Sequence, residues 1–97
     1  MLLFVRRQYV EQIRAGLKTF EIRAGAKYRG VREGDSLSIN GQFRLIVTRV
    51  EEHTRGSLLT ALPDWADAVE SCYPGDVDTF YVFHFKPPTD AAPRPAA

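Results

Sequence analysis

The sequence predicts an α+β fold, a small β-barrel of about five to six strands with two flanking helices. Several short segments alternate apolar and polar residues with the period of two that strands show. Asn40-Gly41 lies between two of them and indicates a tight hairpin. Two other segments carry apolar residues at helical spacing. Strands this short protect their edges best by closing into a barrel.

Seven elements are predicted in the order β-α-β-β-β-α-β. In chain order we expect a strand at 2–5, a helix at 8–15, a strand at 19–23, a loop at 24–34, strands at 36–39 and 43–50, a polar bend at 51–56, a helical turn at 57–62, a helix at 64–72 and a strand at 79–85.

Glycine and proline mark several of these boundaries. Gly16 ends the first helix, and Pro63 suits the first turn of the second. In the strand at 43–50, apolar residues fall on both faces, which predicts either burial on both sides or a bulge. The last strand is rich in aromatic residues and alternates them between its two faces.

The length of 97 residues fits one domain, which we expect to span 1–86. Apolar residues make up 44% of the chain and charged residues 26%, an ordinary globular balance. Residues 87–97 hold four prolines and four alanines, and we expect this tail to be disordered.

Cysteine usage and hydropathy indicate a cytoplasmic protein. Cys72 is the single cysteine, which excludes a disulfide framework and fits a reducing compartment. Its position on the apolar face of the second helix predicts a buried, inert thiol. The apolar start of the chain is too short for a signal peptide, and no segment approaches the roughly 20 apolar residues of a membrane span.

Charge is distributed unevenly along the chain. Residues 1–33 carry eight basic against three acidic side chains, a net charge of +5, whereas residues 34–97 carry five against nine, a net charge of −4. This asymmetry indicates an anionic partner for the first third, although solvated surface charges would give the same pattern. The total of only +1 argues against a sequence-blind grip on long nucleic acid.

The densest group of polar residues lies in the segment Gly16 to Arg23. Glu21 and Arg23 are two residues apart in a predicted strand, so their side chains project from one face. A carboxylate beside a guanidinium can form an ion pair or act as a base with an anion clamp. Lys18 joins them only if it still belongs to the turn before the strand.

The pattern Gly16-x-Lys18-x-x-Glu21-x-Arg23 resembles the GxKxxExR signature of the ASCH family, small barrels related to the PUA RNA-binding domains. The helix before the motif and Gly34-Asp35 before the next strand agree with that family. The ending, with Tyr73-Pro74-Gly75 followed by the aromatic last strand, is similar to small bacterial members that hydrolyse N4-acetylcytidine. The resemblance covers roughly residues 3–86 and implies a PUA-like barrel.

In those amidohydrolases the resemblance implies a motif lysine, a threonine three residues later and a glutamate further on. Lys18 matches the lysine, whereas Glu21 stands where the threonine would be. The later glutamate has no clear counterpart, and Asp64, Asp67 and Glu70 are candidates by region alone.

We therefore expect Lys18 and Glu21 to be catalytic, with Glu21 activating water and Lys18 moving a proton or holding the oxyanion. The predicted substrate-binding residues are those that clamp, approach or stack on a base: Arg23, Gly16, Tyr9, Tyr28 and Tyr81.

Three functions stay open at this point: hydrolysis of an acylated or otherwise modified nucleoside, non-catalytic recognition of RNA or a modified base, and RNA cleavage. We expect no cofactor and no metal, because His53 and His84 lack ligand spacing. Ser57 has no neighbouring base in the sequence, so no Ser–His nucleophile is predicted.

Overall fold

A computed structural model describes residues 1–88. Their regular elements are strands β1 (Leu2–Leu3), β2 (Phe20–Ala24), β3 (Ser36–Ile39), β4 (Phe43–His53) and β5 (Phe80–Phe85), and helices α1 (Arg7–Arg14), α2 (Arg55–Ala61) and α3 (Ala66–Cys72). Two 3-10 helices lie at Ala26–Tyr28 and Pro63–Trp65.

The five strands form one mixed sheet in the order β1-β3-β4-β5-β2. β1 pairs with β3 in parallel, and the other neighbours are antiparallel. The first half of β4 pairs with β3 and its second half with β5, with a shift of register between Val47 and Arg49. A bulge there bends the long strand, so that β4 serves both halves of the sheet.

The sheet has an apolar core on each face. In the inner core, Val10 and Ile13 of α1 pack against one face of the sheet. Tyr81, Phe83 and Phe85 of β5 belong to the same core. The outer core lies under α2 and α3 and includes Phe80 and Val82, the alternate residues of the same strand. The alternation along β5 therefore separates two cores, as the sequence pattern predicts.

Arg55 of α2 forms hydrogen bonds with α3 and with the segment that follows it. Its guanidinium donates to the carbonyls of Tyr73 and Val77 at 2.6 and 2.9 Å and to the Glu70 carboxylate at 2.7 Å. Thr54 caps α2, because its hydroxyl accepts a hydrogen bond from the Ser57 backbone N–H at 3.1 Å. The helical layer is thus held as a unit over the sheet.

The α+β class, the hairpin and the bulge in β4 are confirmed. Asn40 and Gly41 both adopt the positive φ that the turn between β3 and β4 requires. The barrel is not confirmed, because the sheet is open between its end strands β1 and β2. Among residues 1–88 there are three α-helices rather than two.

The polar bend predicted at 51–56 is wrong. β4 continues to His53, and α2 begins at Arg55, two residues before the helical turn predicted at 57–62. The predicted loop at 24–34 contains a 3-10 helix at Ala26–Tyr28. Residues 51–53 belong to the strand, where Glu51 and His53 pair, and residues 54–56 cap and begin the helix, which propensity along the chain does not reveal.

Two further expectations are a disordered C-terminal tail and the absence of a membrane-spanning segment. Most of the tail predicted at 87–97 lies outside the described residues; Pro87 and Pro88 are described, and Pro88 is buried. In the described part of the chain, no helix has the length and apolar character needed to cross a bilayer.

One core residue allows a test of the packing. The Tyr81 hydroxyl is buried and has no hydrogen-bond partner among the described residues. We expect Tyr81→Phe to raise the free energy of unfolding by about 1 kcal/mol, because it removes an unsatisfied buried group. Urea denaturation measures the change. Tyr28→Phe is the matched control, since Tyr28 is equally a core residue but its hydroxyl is not a buried unpartnered group. A loss of stability in Tyr81→Phe would contradict the packing described here.

Candidate functional site

A cavity of about 210 Å³ lies at the open side of the sheet. The segment Phe4–Arg6 and Tyr9 of α1 form one wall, and Trp65 and α3 form another. Lys18 and the residues Glu21–Arg23 of β2 lie between them. In a closed barrel, the end strands β1 and β2 would pair with each other. The cavity instead lies between β2 and the segment that follows β1.

The turn after α1 brings Lys18 to the cavity. The backbone N–H groups of Leu17 and Lys18 both donate to the Gln12 carbonyl, at 2.8 and 3.1 Å, so Lys18 is still tied to the helix. β2 begins only at Phe20. Lys18 therefore does not follow the alternation of the strand, and its side chain lies on the same side as that of Glu21. Lys18 thus belongs to the turn before the strand, which is the position in which the sequence brings it together with Glu21 and Arg23.

Gly16 serves this turn rather than the cavity. Its φ is +80°, a conformation that other residues rarely adopt, and an added Cβ would lie 2.9 Å from Cγ of Pro87. The residue therefore allows the chain to reverse after α1 and lets Pro87 pack close to the turn. It is not among the residues that line the cavity.

The Lys18 ammonium is buried against a carboxylate and three aromatic rings. Only 5% of the residue is exposed. Its Nζ donates to Oε2 of Glu21 at 2.6 Å and to the Phe20 carbonyl at 2.9 Å. The same atom lies 4.9 Å from the ring centre of Tyr9 and 5.2 Å from that of Trp65. Carboxylate and rings together replace the water that a lysine normally binds.

Burial lowers the pKa of Lys18 below its ordinary value of 10.5. The Glu21 carboxylate acts in the opposite direction through its charge and hydrogen bond, and the Arg23 guanidinium adds to the lowering. The net effect makes the ammonium a better proton donor than a lysine in water. A lysine held in this way is suited to donate a proton to a bound reactant.

Arg23 links the open edge of β2 to the segment after β1. Its Nη2 donates to the Phe4 carbonyl at 2.8 Å and lies 3.7 Å from Oε1 of Glu21. On the other side of this segment, the Asn40 amide donates to the Val5 carbonyl at 2.9 Å and accepts from its N–H at 2.7 Å. One wall of the cavity is therefore fixed from both sides.

The structure thus brings together four of the residues selected from the sequence: Lys18, Glu21, Arg23 and Tyr9 all line the cavity. Tyr28 and Tyr81 do not, because both lie in the inner core, where they are 6% and 3% exposed. Their rings pack against Phe83, at 6.0 and 6.4 Å between ring centres.

The residues considered for a later glutamate also lie elsewhere. Asp64, Asp67 and Glu70 are exposed and do not line the cavity. The Glu70 carboxylate instead pairs with Arg55 at 2.7 Å. The acidic partner of Lys18 in this cavity is Glu21.

Trp65 and Cys72 are among the cavity residues that were not selected from the sequence. Trp65 packs its ring against Phe20 at 5.4 Å and Tyr9 at 6.0 Å. The spacing of Trp65 and Val69 along a helix predicts a packed apolar face. No sequence motif near Trp65 indicates that this face borders a cavity. The expectation of a buried Cys72 is wrong: the thiol is exposed at the cavity, with Sγ 3.9 Å from Nη2 of Arg6.

Comparisons with family models, with curated proteins and with solved structures found no match. Among residues 1–88, no group of three or more His, Cys, Asp and Glu side chains is placed to hold a metal ion.

The buried pair allows a test by substitution. We expect Glu21→Gln to lower the free energy of unfolding by about 3 kcal/mol, because it leaves the Lys18 ammonium buried without its counter-charge. The double variant Lys18→Met/Glu21→Leu removes both charges and should lose less than this single variant. Urea denaturation of both variants measures the difference. A loss in the double variant that equals or exceeds the loss in Glu21→Gln would contradict the pairing of the two charges.

The lowered pKa of Lys18 predicts a dependence of stability on alkaline pH. Below 10.5, the folded protein releases the Lys18 proton before the unfolded chain does. The unfolded state then binds more protons, so the free energy of unfolding should rise with pH in this window. We expect the free energy of unfolding of wild type to rise relative to that of Lys18→Met as pH rises towards 10.5. A flat or falling difference would contradict the burial of the ammonium.

Proposed function

We propose that the cavity binds the base of an acylated or similarly modified cytidine and hydrolyses its exocyclic amide. The observation that carries this proposal is the buried contact of 2.6 Å between Nζ of Lys18 and Oε2 of Glu21 at the cavity. The resemblance of this segment to the ASCH signature, and of the chain's ending to the N4-acetylcytidine amidohydrolases, supports the choice of substrate. A PUA-like barrel and a cytoplasmic location belong to the same proposal.

The size and lining of the cavity favour a small planar ligand. At about 210 Å³ it is smaller than the roughly 300–1,000 Å³ of sites for drug-sized molecules. Tyr9 and Trp65 offer aromatic surface for stacking, and the charged groups Lys18, Glu21 and Arg23 lie together on one wall. A single modified base fits these features better than an extended peptide or a long polymer.

Amide hydrolysis assigns a role to each charged group. The Glu21 carboxylate takes a proton from water as the water oxygen attacks the acyl carbon. The Lys18 ammonium stabilises the charge that develops on the carbonyl oxygen and then gives its proton to the departing amino nitrogen. The C–N bond breaks as the amine accepts this proton. The proton on Glu21 passes to Lys18 across their hydrogen bond, which restores both groups and leaves a carboxylic acid and a free amine.

Arg23 orients the reacting groups. One N–H of its guanidinium is used by the Phe4 carbonyl, and the group lies beside Glu21. Its other N–H groups are suited to a carbonyl oxygen of a base. The arginine would thereby connect binding of the base to the position of the carboxylate that activates water.

The alternative is a binding module that recognises RNA or a modified base without chemistry. Two observations favour it. Two of the three donors of the Lys18 ammonium are already used, by Glu21 and by the Phe20 carbonyl. Phe4, which is 72% exposed, and Arg6 lie at the cavity wall, where a ring and a guanidinium can stack on a neighbouring base or contact a phosphate.

Release of cytidine from N4-acetylcytidine by the purified protein tests the enzymatic proposal. We expect release by wild type and a loss of at least about 100-fold in Lys18→Met, because general acid–base catalysis contributes on this scale. Lys27→Met is the matched control: Lys27 is an exposed lysine outside the cavity, and its replacement should leave the rate unchanged.

Each outcome decides between the two functions. Equal rates in wild type and Lys18→Met would overturn the mechanism. No release at high protein concentration, together with saturable binding of N4-acetylcytidine, would favour the binding module. Binding to oligonucleotides that weakens steeply with salt would extend that module to RNA.

A further inference from the structure

Four polar side chains form a hydrogen-bonded chain outside the cavity: Ser57, His53, Glu51 and His84. Ser57 belongs to the first turn of α2, Glu51 and His53 to the second half of β4, and His84 to β5. None of the four lines the cavity. Neither the fold nor the proposed function accounts for this arrangement.

The contacts run in one line. The Ser57 hydroxyl contacts Nδ1 of His53, so the expectation from the sequence that Ser57 has no neighbouring base is wrong. On the other side of the same ring, Nε2 lies 3.1 Å from Oε1 of Glu51. The second carboxylate oxygen, Oε2, lies 2.5 Å from Nε2 of His84. A serine, an imidazole and a carboxylate are therefore joined in the order that activates a serine nucleophile.

The protonation of the neutral His53 ring follows from these partners. An ionised carboxylate can only accept hydrogen bonds, so the ring nitrogen facing Glu51 carries the hydrogen. Nδ1 is then left with a free electron pair and accepts the Ser57 O–H. The hydroxyl proton therefore already points at a base.

The charge on Glu51 is maintained by its neighbours. Burial would raise the pKa of this carboxyl group, but hydrogen bonds from His84 and His53 and the charge of Arg49 outweigh burial and lower the pKa. Arg49 contributes from 3.6 Å. Glu51 thus stays an acceptor for both rings, and His84 holds its second oxygen in place.

The serine is open to a reactant, whereas its base is sheltered. Ser57 is exposed on the surface of α2. The side chain of His53 is only 13% exposed, and that of Glu51 26%. Shelter limits the rearrangement of the histidine and the carboxylate, and exposure of the hydroxyl permits attack on a molecule from solvent.

We propose that Ser57 is the nucleophile of a second hydrolytic site that acts on small activated esters. Its Oγ bonds to the ester carbonyl carbon while its proton moves to Nδ1 of His53. The bond from that carbon to the leaving oxygen then breaks, and the leaving group takes the proton from His53. Water hydrolyses the acyl-serine with His53 as base, which yields an acid and an alcohol and restores the hydroxyl.

An exposed serine with this base suits one class of ester. Activated esters have leaving groups that are weak bases, so they depart without the closely fitted stabilisation that an unactivated ester or an amide demands. A phenyl ester with an electron-withdrawing group, such as p-nitrophenyl acetate, is the probe of this class.

Covalent labelling of the full chain with a fluorophosphonate tests the nucleophile. The Oγ–P bond forms, the P–F bond breaks, and fluoride leaves while His53 takes the proton. We expect one label per chain, located on Ser57 by peptide mass spectrometry, and none in Ser57→Ala. His53→Gln should lower the labelling rate by about 100-fold, the scale of a general base. Thr60→Ala, which removes an exposed hydroxyl of the same helix that donates to the Gly56 carbonyl and not to a histidine, should label like wild type.

Glu51 acts through His53 and is a positioning residue, which gives a second readout. We expect Glu51→Gln to lower the maximal labelling rate while the half-saturating fluorophosphonate concentration stays unchanged, because the reagent does not touch Glu51. A change in half-saturation alone, or no change, would contradict the positioning role. Equal labelling of wild type and His53→Gln would overturn the proposal as a whole.

Hydrolysis of p-nitrophenyl acetate separates this site from the cavity. Ser57→Ala should lose the ester hydrolysis and Lys18→Met should keep it. Loss in Lys18→Met with retention in Ser57→Ala would assign any esterase activity to the cavity and overturn the second site. Because labelling of Ser57 does not depend on N4-acetylcytidine, failure of the proposed amidohydrolase and failure of this site give different results.

Discussion

The buried ion pair between Lys18 and Glu21 is the constraint on which the arrangement at the open side of the sheet depends. Removing a lysine and a glutamate from water costs several kcal/mol per charge, which only a close pairing offsets. The contact of 2.6 Å, the Phe20 carbonyl and the aromatic rings around Nζ supply that pairing. Since neither charge is tolerated there alone, the turn after α1, the start of β2 and the position of Trp65 must all be compatible with the pair.

The open sheet is what leaves room for a ligand. β1 and β2 are its two ends, and instead of pairing they are joined by the contact from Arg23 to the Phe4 carbonyl. Asn40 holds Val5 from the hairpin between β3 and β4. Side-chain hydrogen bonds thus replace a backbone ladder across the gap and fix the wall of the cavity at Phe4–Arg6.

Much of the fold could be predicted from local patterns, because alternation along β5 and the turn at Asn40-Gly41 are properties of neighbouring residues. The continuation of β4 through Glu51 and His53 could not, since it depends on pairing with β5. The motif selected Lys18, Glu21 and Arg23, but whether Lys18 joined them depended on a turn tied to Gln12. Ser57 and His53 are four residues apart across a strand-to-helix junction, and no periodicity within one element brings such a pair together.

The Lys18–Glu21 pair is proposed as part of a cavity for a modified base, and Trp65 reports on binding there directly. The chain contains a single tryptophan, so its indole N–H gives one isolated proton resonance in solution. Trp65 lines the cavity with its ring near Nζ of Lys18. Titration with N4-acetylcytidine should shift this resonance saturably in wild type, and less or at higher concentration in Lys18→Met. A resonance that stays in place under excess ligand would contradict the account.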